Sequence, residues 1–131
     1  MKKIMVVDDS LMVRLNLKKI FEKQGYEVVA EAANGKDAVE KYIKFRPDLT
    51  TMDITMPVLD GITALQKIRT VDCNACVVMI SALGQEMKII DALNKGARHY
   101  IIKPFKESDV VNKVESIFNA MEEQNNAVAS R

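Results

Sequence analysis

Short apolar segments alternate with amphipathic segments along nearly the whole chain, and this alternation constrains the fold more than any other feature. Four runs are nearly continuous in apolar residues, as is typical of strands covered on both faces. They are Ile4–Val7, Leu49–Met52, Val77–Ile80 and Tyr100–Ile102. A weaker run, Glu27–Ala32, carries charge near both ends and suits the edge of a sheet. We therefore predict five strands.

A helical pattern follows each predicted strand, with apolar residues three or four positions apart. The signals for the helix starts are Ser10, Asn34-Gly35, Asp60-Gly61, about Gln85 and near Ser108. The signals for helix ends are Gly25, Pro47 and Gly96. The residues predicted to face the core are Val13, Leu17, Ile20, Phe21, Ala38, Val39, Tyr42, Ile43, Ile62, Leu65, Ile68, Ile89, Ile90, Leu93, Val110, Val114, Ile117, Phe118 and Met121.

Strict alternation of five strands and five helices leaves few topologies, because crossovers between parallel strands are right-handed and loops are short. The pattern favours an α/β fold with a three-layer, doubly wound, parallel five-stranded sheet in the order 2-1-3-4-5, the flavodoxin-like arrangement. We expect one domain over residues 1–123. Residues 124–131 are small and polar and are expected to form a disordered tail.

Composition and charge exclude several classes of protein. With 131 residues and 48% apolar content, the chain can bury one core. Its formal charge of +1 does not provide the basic field that drives sequence-independent binding to nucleic acid. The apolar run before Asp8 is too short for a signal peptide, and no segment is long enough to span a membrane. We expect a cytoplasmic protein that binds neither DNA nor a membrane.

The spacing of Cys73 and Cys76 is that of some redox and zinc sites. A thioredoxin-type pair, however, follows a strand at the start of a helix, whereas this pair precedes the run Val77–Ile80. A structural zinc ion would need two more ligands, and the chain has one histidine. Two reduced thiols in a loop are the expected state.

Polar side chains stand where four of the predicted strands end. Asp8 and Asp9 follow the first strand, Asp53 the third, Ser81 the fourth and Lys103 the fifth. Because ligands of doubly wound sheets bind outside the carboxyl ends of the strands, we expect these side chains to converge. Each of them alone could equally be a helix cap or a turn residue, and it is their shared position that indicates a site.

Three carboxylates at one rim predict a bound cation, because they would otherwise repel one another and resist ionisation. A site with oxygen ligands and few carboxylates suits Mg²⁺ better than zinc or calcium. Lys103 would add a positive charge and Ser81 a hydroxyl donor near Asp53, and with the metal these groups would cradle a phosphoryl group.

Four segments, "MVVDDS", "MDITMPVLDG", "MISALGQ" and "YIIKPF", resemble in order and spacing the receiver domains of two-component response regulators. The resemblance extends from residue 3 to about residue 121. It implies that residues 1–123 are a receiver domain and that Asp53 accepts a phosphoryl group from a kinase phosphohistidine. Asp9, Asp53 and the backbone carbonyl of Thr55 would bind Mg²⁺ directly, and Asp8 would act mostly through a water molecule.

The resemblance further implies a conformational switch. Ser81 and Lys103 would contact the phosphoryl oxygens, and the Lys103–Pro104 bond is cis in this family. Tyr100 stands at the position of the family's switch aromatic, whose ring is expected to turn inward when Ser81 moves toward the phosphoryl group. Such a protein is a regulator rather than an enzyme, since it catalyses only its own Mg²⁺-dependent phosphorylation and dephosphorylation. The surface formed by the fourth helix, fifth strand and fifth helix would change its affinity for a partner protein.

The segments "TMDITMP" and "SALGQ" look most like those of stand-alone chemotaxis regulators. The partners implied are a sensor or chemotaxis histidine kinase and an effector such as the flagellar motor switch, and they could include a phosphatase. A monomer is expected. A single-domain phosphorelay intermediate is the alternative within the family.

Two other classes share parts of the pattern. Haloacid-dehalogenase-type phosphatases also use a strand-end Asp with Mg²⁺, but they place a second Asp two residues later as a general acid, where this chain has Thr55. A flavin site would need hydroxyls and glycines after the first strand, where Asp8 and Asp9 would repel a phosphate. Turnover of a phosphate ester, or a yellow colour, would identify one of these classes.

Overall fold

Five parallel strands form one sheet in the computed structural model, which describes residues 1–129, with side chains for residues 1–127. The strands are β1 (Lys3–Val7), β2 (Glu27–Ala32), β3 (Leu49–Asp53), β4 (Val77–Ala82) and β5 (His99–Lys103). Their order is β2-β1-β3-β4-β5, with every neighbouring pair parallel. The predicted doubly wound fold is confirmed, and the charged run does form an edge strand.

A helix follows each strand: α1 (Leu11–Lys23), α2 (Gly35–Phe45), α3 (Gly61–Val71), α4 (Glu86–Asn94) and α5 (Glu107–Ala129). The first three helices begin at side-chain caps. Ser10, Asn34 and Asp60 each accept a hydrogen bond from the backbone N–H three residues later, at 3.3, 2.8 and 2.8 Å respectively. These bonds satisfy N–H groups that lack a partner inside the helix, so the caps determine where the helices begin.

The helices cover both faces of the sheet, which explains why the strands do not alternate between apolar and polar residues. Helices α1 and α5 pack on one face, where Phe21 and Val114 belong to the core. Helices α2, α3 and α4 pack on the other face, where Leu65 and Ile89 belong to the core. Each large apolar side chain buried in this way contributes about 1.5–3 kcal/mol to the free energy of unfolding.

Three residues that we predicted to face the core are exposed instead. Ile43 is 50% exposed, Ile90 53% and Leu93 39%. Each follows directly after a buried residue, namely Tyr42, Ile89 and Ala92. Since successive side chains on a helix are turned by about 100°, the sheet covers the first member of each pair and leaves the second outside.

Helix α5 is the longest helix, with 23 residues, and it continues through Ala129. Helix therefore occupies residues 124–129, where we expected an irregular tail, while residues 130 and 131 lie outside the described part of the chain. After Pro104 the sequence contains neither glycine nor proline, so no residue of these types interrupts the helix. Within the described residues, no helix combines the length and the hydropathy that crossing a membrane requires.

Candidate functional site

Three carboxylates meet at the carboxyl ends of β1 and β3. One carboxylate oxygen from each of Asp8, Asp9 and Asp53 lies within 4.8 Å of the others. Asp8 and Asp53 are buried, whereas Asp9 is exposed. Because β1 and β3 are adjacent and parallel, their last residues necessarily emerge side by side. The structure therefore brings together the three acidic residues singled out in the sequence.

Lys103 reaches this cluster from the end of β5. Its Nζ lies 2.8 Å from Asp8 Oδ2 and 3.7 Å from Asp53 Oδ2. The sequence suggested Asp53 as its main partner, but the shorter ion pair is with Asp8. Burial acts to lower the pKa of Lys103, yet the contacts with the Asp8 and Asp53 carboxylates outweigh burial and raise that pKa above its ordinary value. The lysine is therefore a permanent positive charge within the cluster.

Asp53 holds its proton unusually well. Its burial, and then the negative charge of Asp8, raise its pKa to about 7, although the charge of Lys103 opposes them. Burial is thus the larger cause, and the crowding of negative charge that the sequence predicted adds to it. A hard divalent cation such as Mg²⁺ would relieve this repulsion, and the available donors are all oxygen atoms, which Mg²⁺ prefers. The residues therefore fit a magnesium ion.

Ser81 has a buried hydroxyl group that lacks a hydrogen-bond partner in the described residues, on the strand next to that of Asp53. It is fully buried near the end of β4, and its Oγ has no hydrogen-bond partner among the described residues. Strand β4 pairs with β3, and Ile80 lies opposite Asp53. Ser81 therefore lies one residue beyond the level at which β3 ends. A buried hydroxyl without a partner is costly, and an oxygen-rich group arriving at this rim could satisfy it.

Arg14 supports the acidic cluster from helix α1, and sequence reasoning missed it. Its Nη1 donates to the backbone carbonyl of Asp8 at 2.7 Å, and its Nε donates to Glu31 Oε1 at 3.3 Å. Asp8 Oδ1 also accepts from the backbone N–H of Ser10 at 2.9 Å. One available signal was the position of Arg14 one helical turn after the cap Ser10, which directs it back toward the strand end.

Thr55 lies on the loop between β3 and α3, two residues after Asp53. Its side chain is exposed, and its Oγ1 accepts a hydrogen bond from Gln85 Nε2 at 2.9 Å. The loop closes beneath it, because the backbone N–H of Gly61 donates to the carbonyl of Ile54 at 2.8 Å. Sequence reasoning did not predict the contact with Gln85, since it joins two loops 30 residues apart.

Tyr100 lies on β5, away from the acidic cluster and partly exposed. Lys113 Nζ donates to its backbone carbonyl at 2.7 Å and lies 5.2 Å from the centre of its ring. The ring also lies 5.4 Å from that of His99. The bond between Lys103 and Pro104 is cis.

The two cysteines are free and lie on the segment that leads into β4. Cys73 is exposed and Cys76 is buried. Burial raises the pKa of the Cys76 thiol to about 11, against the opposing charge of Arg98, so the thiol stays protonated at neutral pH. A protonated thiol is neither a nucleophile nor a good metal ligand.

Comparison with known proteins identifies the family to which this chain is similar. The model of the response regulator receiver domain matches residues 4–115. The chemotaxis protein CheY of Bacillus subtilis (strain 168) is 49% identical over 117 residues, which are 89% of this chain and 98% of that protein. CheY of Thermotoga maritima is 46% identical over 116 residues, which are 88% of this chain and 97% of that protein.

The fold is also similar to that of a solved structure. A chain in the crystal structure of the CheX-CheY-BeF3-Mg+2 complex from Borrelia burgdorferi matches this fold with a TM-score of 0.86 at 43% sequence identity, and the match covers 89% of each chain. The matched family segment, residues 4–115, contains the acidic cluster, Ser81 and Lys103. The chain therefore belongs to the family of response regulator receiver domains.

Proposed function

We propose that this protein is a signalling switch that is activated when Asp53 accepts a phosphoryl group from a histidine kinase. The observation that carries the proposal is the convergence of three kinds of group at one rim. They are three carboxylates within 4.8 Å of one another, a charged lysine in contact with two of them, and the buried hydroxyl of Ser81, which has no hydrogen-bond partner in the described part of the chain. Helix caps or turns alone would not require this combination.

The reaction follows from the nature of the acceptor. An oxygen of the Asp53 carboxylate attacks phosphorus in line with the bond to the imidazole nitrogen of a phosphohistidine. The new P–O bond forms as the P–N bond breaks, and the departing imidazole keeps the electron pair and takes up a proton. Mg²⁺ held by Asp8, Asp9, Asp53 and the carbonyl of Thr55 would neutralise negative charge on the phosphoryl oxygens.

The residues of the chain provide placement and charge. Lys103 stands close enough to Asp53 to balance part of the charge that a phosphoryl group adds. The Ser81 hydroxyl gains a partner only in the phosphorylated form, so phosphorylation favours any arrangement in which Ser81 turns toward Asp53. Tyr100 then responds as the switch aromatic, and the exposed apolar side chains of α4 carry the change to a partner.

We propose that this switch acts in chemotaxis, because similar proteins are named chemotaxis proteins. Proteins called chemotaxis protein CheY match nearly their whole length to this chain. A solved relative combines CheX, CheY, BeF3 and magnesium in one complex, which supports both a metal ion and a protein partner. The partners we propose are a chemotaxis histidine kinase, the flagellar motor switch and a phosphatase. Relay of the phosphoryl group to a second histidine protein would instead assign a phosphorelay intermediate.

Labelling by a small phosphodonor tests the assignment of Asp53. With acetyl phosphate and Mg²⁺, we expect a single phosphorylated species in the wild-type protein and none in Asp53→Asn, which keeps the shape of the side chain but removes the nucleophile. Asp91→Asn is the matched control, because Asp91 pairs with Lys95 on the surface of α4, and it should label normally. Robust labelling of Asp53→Asn would overturn the assignment.

A further inference from the structure

Gln85 joins the loop that follows β3 to the loop that follows β4. Its Oε1 accepts a hydrogen bond from the backbone N–H of Ala82 at 2.8 Å, and its Nε2 donates to Thr55 Oγ1 at 2.9 Å. Ala82 is the last residue of β4, and Thr55 lies just beyond the end of β3. One side chain thus ties together the ends of two neighbouring strands. We call this pair of hydrogen bonds the Gln85 clasp.

Because its side chain forms the clasp, Gln85 does not cap helix α4. Gln85 is the N-cap residue of α4, but its side chain makes no capping hydrogen bond. The cap residues of α1, α2 and α3 all make one. Glutamine is long enough to reach elsewhere and is not among the preferred N-cap residues, so its position favours contact with the loops over capping.

The clasp ends beside Ser81, which the proposed function requires to move, and beside Asp53, which it requires to be phosphorylated. Ala82 directly follows Ser81, and Thr55 lies two residues after Asp53. Between Ala82 and Gln85, the side chain of Leu83 is 73% exposed. A Cβ added at Gly84 would meet no atom of the described chain within 4 Å. Packing therefore contributes little to holding this loop, and the clasp is its main restraint.

We propose that Gln85 is a positioning residue whose clasp holds the β4–α4 loop in its resting arrangement and is released when Ser81 turns toward a phosphoryl group on Asp53. The inference rests on the proposed function of Asp53. Gln85 acts through Ala82 and Thr55 and does not touch the reacting atoms. Because the clasp stabilises only the resting arrangement, its removal makes the activated arrangement easier to reach and tightens the binding of a phosphoryl mimic.

Hydrogen exchange at a single amide tests whether the clasp exists. Gln85→Met keeps the length of the side chain but removes both hydrogen-bonding groups, so we expect the Ala82 amide to exchange about twofold faster by NMR. The matched control is Gln24→Met, the same change at an exposed residue beyond α1, and it should leave that amide unaltered. An unaltered Ala82 rate in Gln85→Met would refute the clasp.

Titration with beryllofluoride and Mg²⁺ tests the positioning role. We expect Gln85→Met to bind beryllofluoride about twofold more tightly than wild type, whereas Gln24→Met binds as wild type does. Thr55→Val removes the hydroxyl that accepts from Gln85 and should give part of this gain. The double variant Gln85→Met, Thr55→Val should gain no more than Gln85→Met alone, because both changes break the same contact.

The outcomes separate the clasp from the proposed function. Equal or weaker binding by Gln85→Met, when the wild type binds, overturns the positioning role, as does a change in melting temperature without a change in affinity. If the wild type itself does not bind beryllofluoride, the proposed function of Asp53 fails, and the positioning role fails with it. Exchange at Ala82 still reports on the clasp in that case, since it requires neither the metal nor the mimic.

Discussion

The β3–α3 loop and the β4–α4 loop leave the same rim of the sheet, yet they are held in different ways. In the first loop, Ile54 and Met56 are 2% and 8% exposed, and the backbone of Gly61 closes the loop through its hydrogen bond to Ile54. In the second loop, Leu83 is 73% exposed and the space around Gly84 is open. The loop next to Asp53 is therefore anchored in the core by two buried side chains, whereas the loop next to Ser81 depends on hydrogen bonds at the surface.

The helices that follow repeat this difference. Helix α3 is capped by Asp60 and buries five of its residues. Helix α4 has nine residues, lacks a side-chain cap and buries only Ile89 and Ala92. Segments with few buried contacts open at low free-energy cost. The strand end that carries Asp53 is therefore followed by a capped, well-buried helix, whereas the neighbouring β4–α4 unit is held by fewer buried residues.

Truncating one apolar side chain in each loop should give the largest difference. Ile54→Ala removes a buried side chain and should lower the free energy of unfolding by about 2–5 kcal/mol. Leu83→Ala removes an exposed side chain and should change it by less than about 0.5 kcal/mol. Urea denaturation of both variants measures the contrast. Similar losses in the two variants would mean that the β4–α4 loop is packed as tightly as its neighbour.

Adding a methyl group to the glycines of the two loops should give a smaller difference. A Cβ at Gly61 would overlap the backbone carbonyl of Asp53, so Gly61→Ala should cost about 3 kcal/mol and displace Asp53. Gly84 has open space but a φ of +89°, so Gly84→Ala should cost only about 1 kcal/mol through backbone strain. Denaturation measures both costs, and labelling by acetyl phosphate should be impaired only in Gly61→Ala. Normal labelling of that variant would contradict the rigid role of the β3–α3 loop.

The smallest expected difference concerns the helix caps. Asp60 Oδ1 accepts from the backbone N–H of Thr63 at 2.8 Å, so Asp60→Ala should cost about 1 kcal/mol of global stability. Gln85→Ala removes no cap and should cost less than about 0.5 kcal/mol, because water can replace its partners near the surface. Thermal or urea unfolding resolves the pair. Equal costs would indicate that Gln85 supports α4 in a way that its hydrogen bonds do not reveal.

Sequence reasoning predicted the elements of the site better than the contacts between them. Asp53, Ser81 and Lys103 were predicted to share one rim because each ends or follows a buried strand, and parallel strands bring their carboxyl ends together. The preference of Lys103 for Asp8 over Asp53 was not predicted, because it depends on the path of a long side chain. Gln85 and Arg14 were missed for the same reason, since their partners lie on other segments.

The order of apolar runs and amphipathic helices by itself determined that the sheet is parallel, that both of its faces are covered and at which rim the polar residues stand, and it favoured the observed strand order. That information is local, because it follows from the period of the pattern and from the handedness of short connections. Only the tertiary structure decided which apolar residues of α4 are covered, since Ile89 and Ile90 are equally apolar and differ only in the direction that the packed helix gives them. It also decided how the β4–α4 loop is held, because the hydrogen bond between Gln85 and Thr55 joins segments 30 residues apart and exists only when both loops have folded.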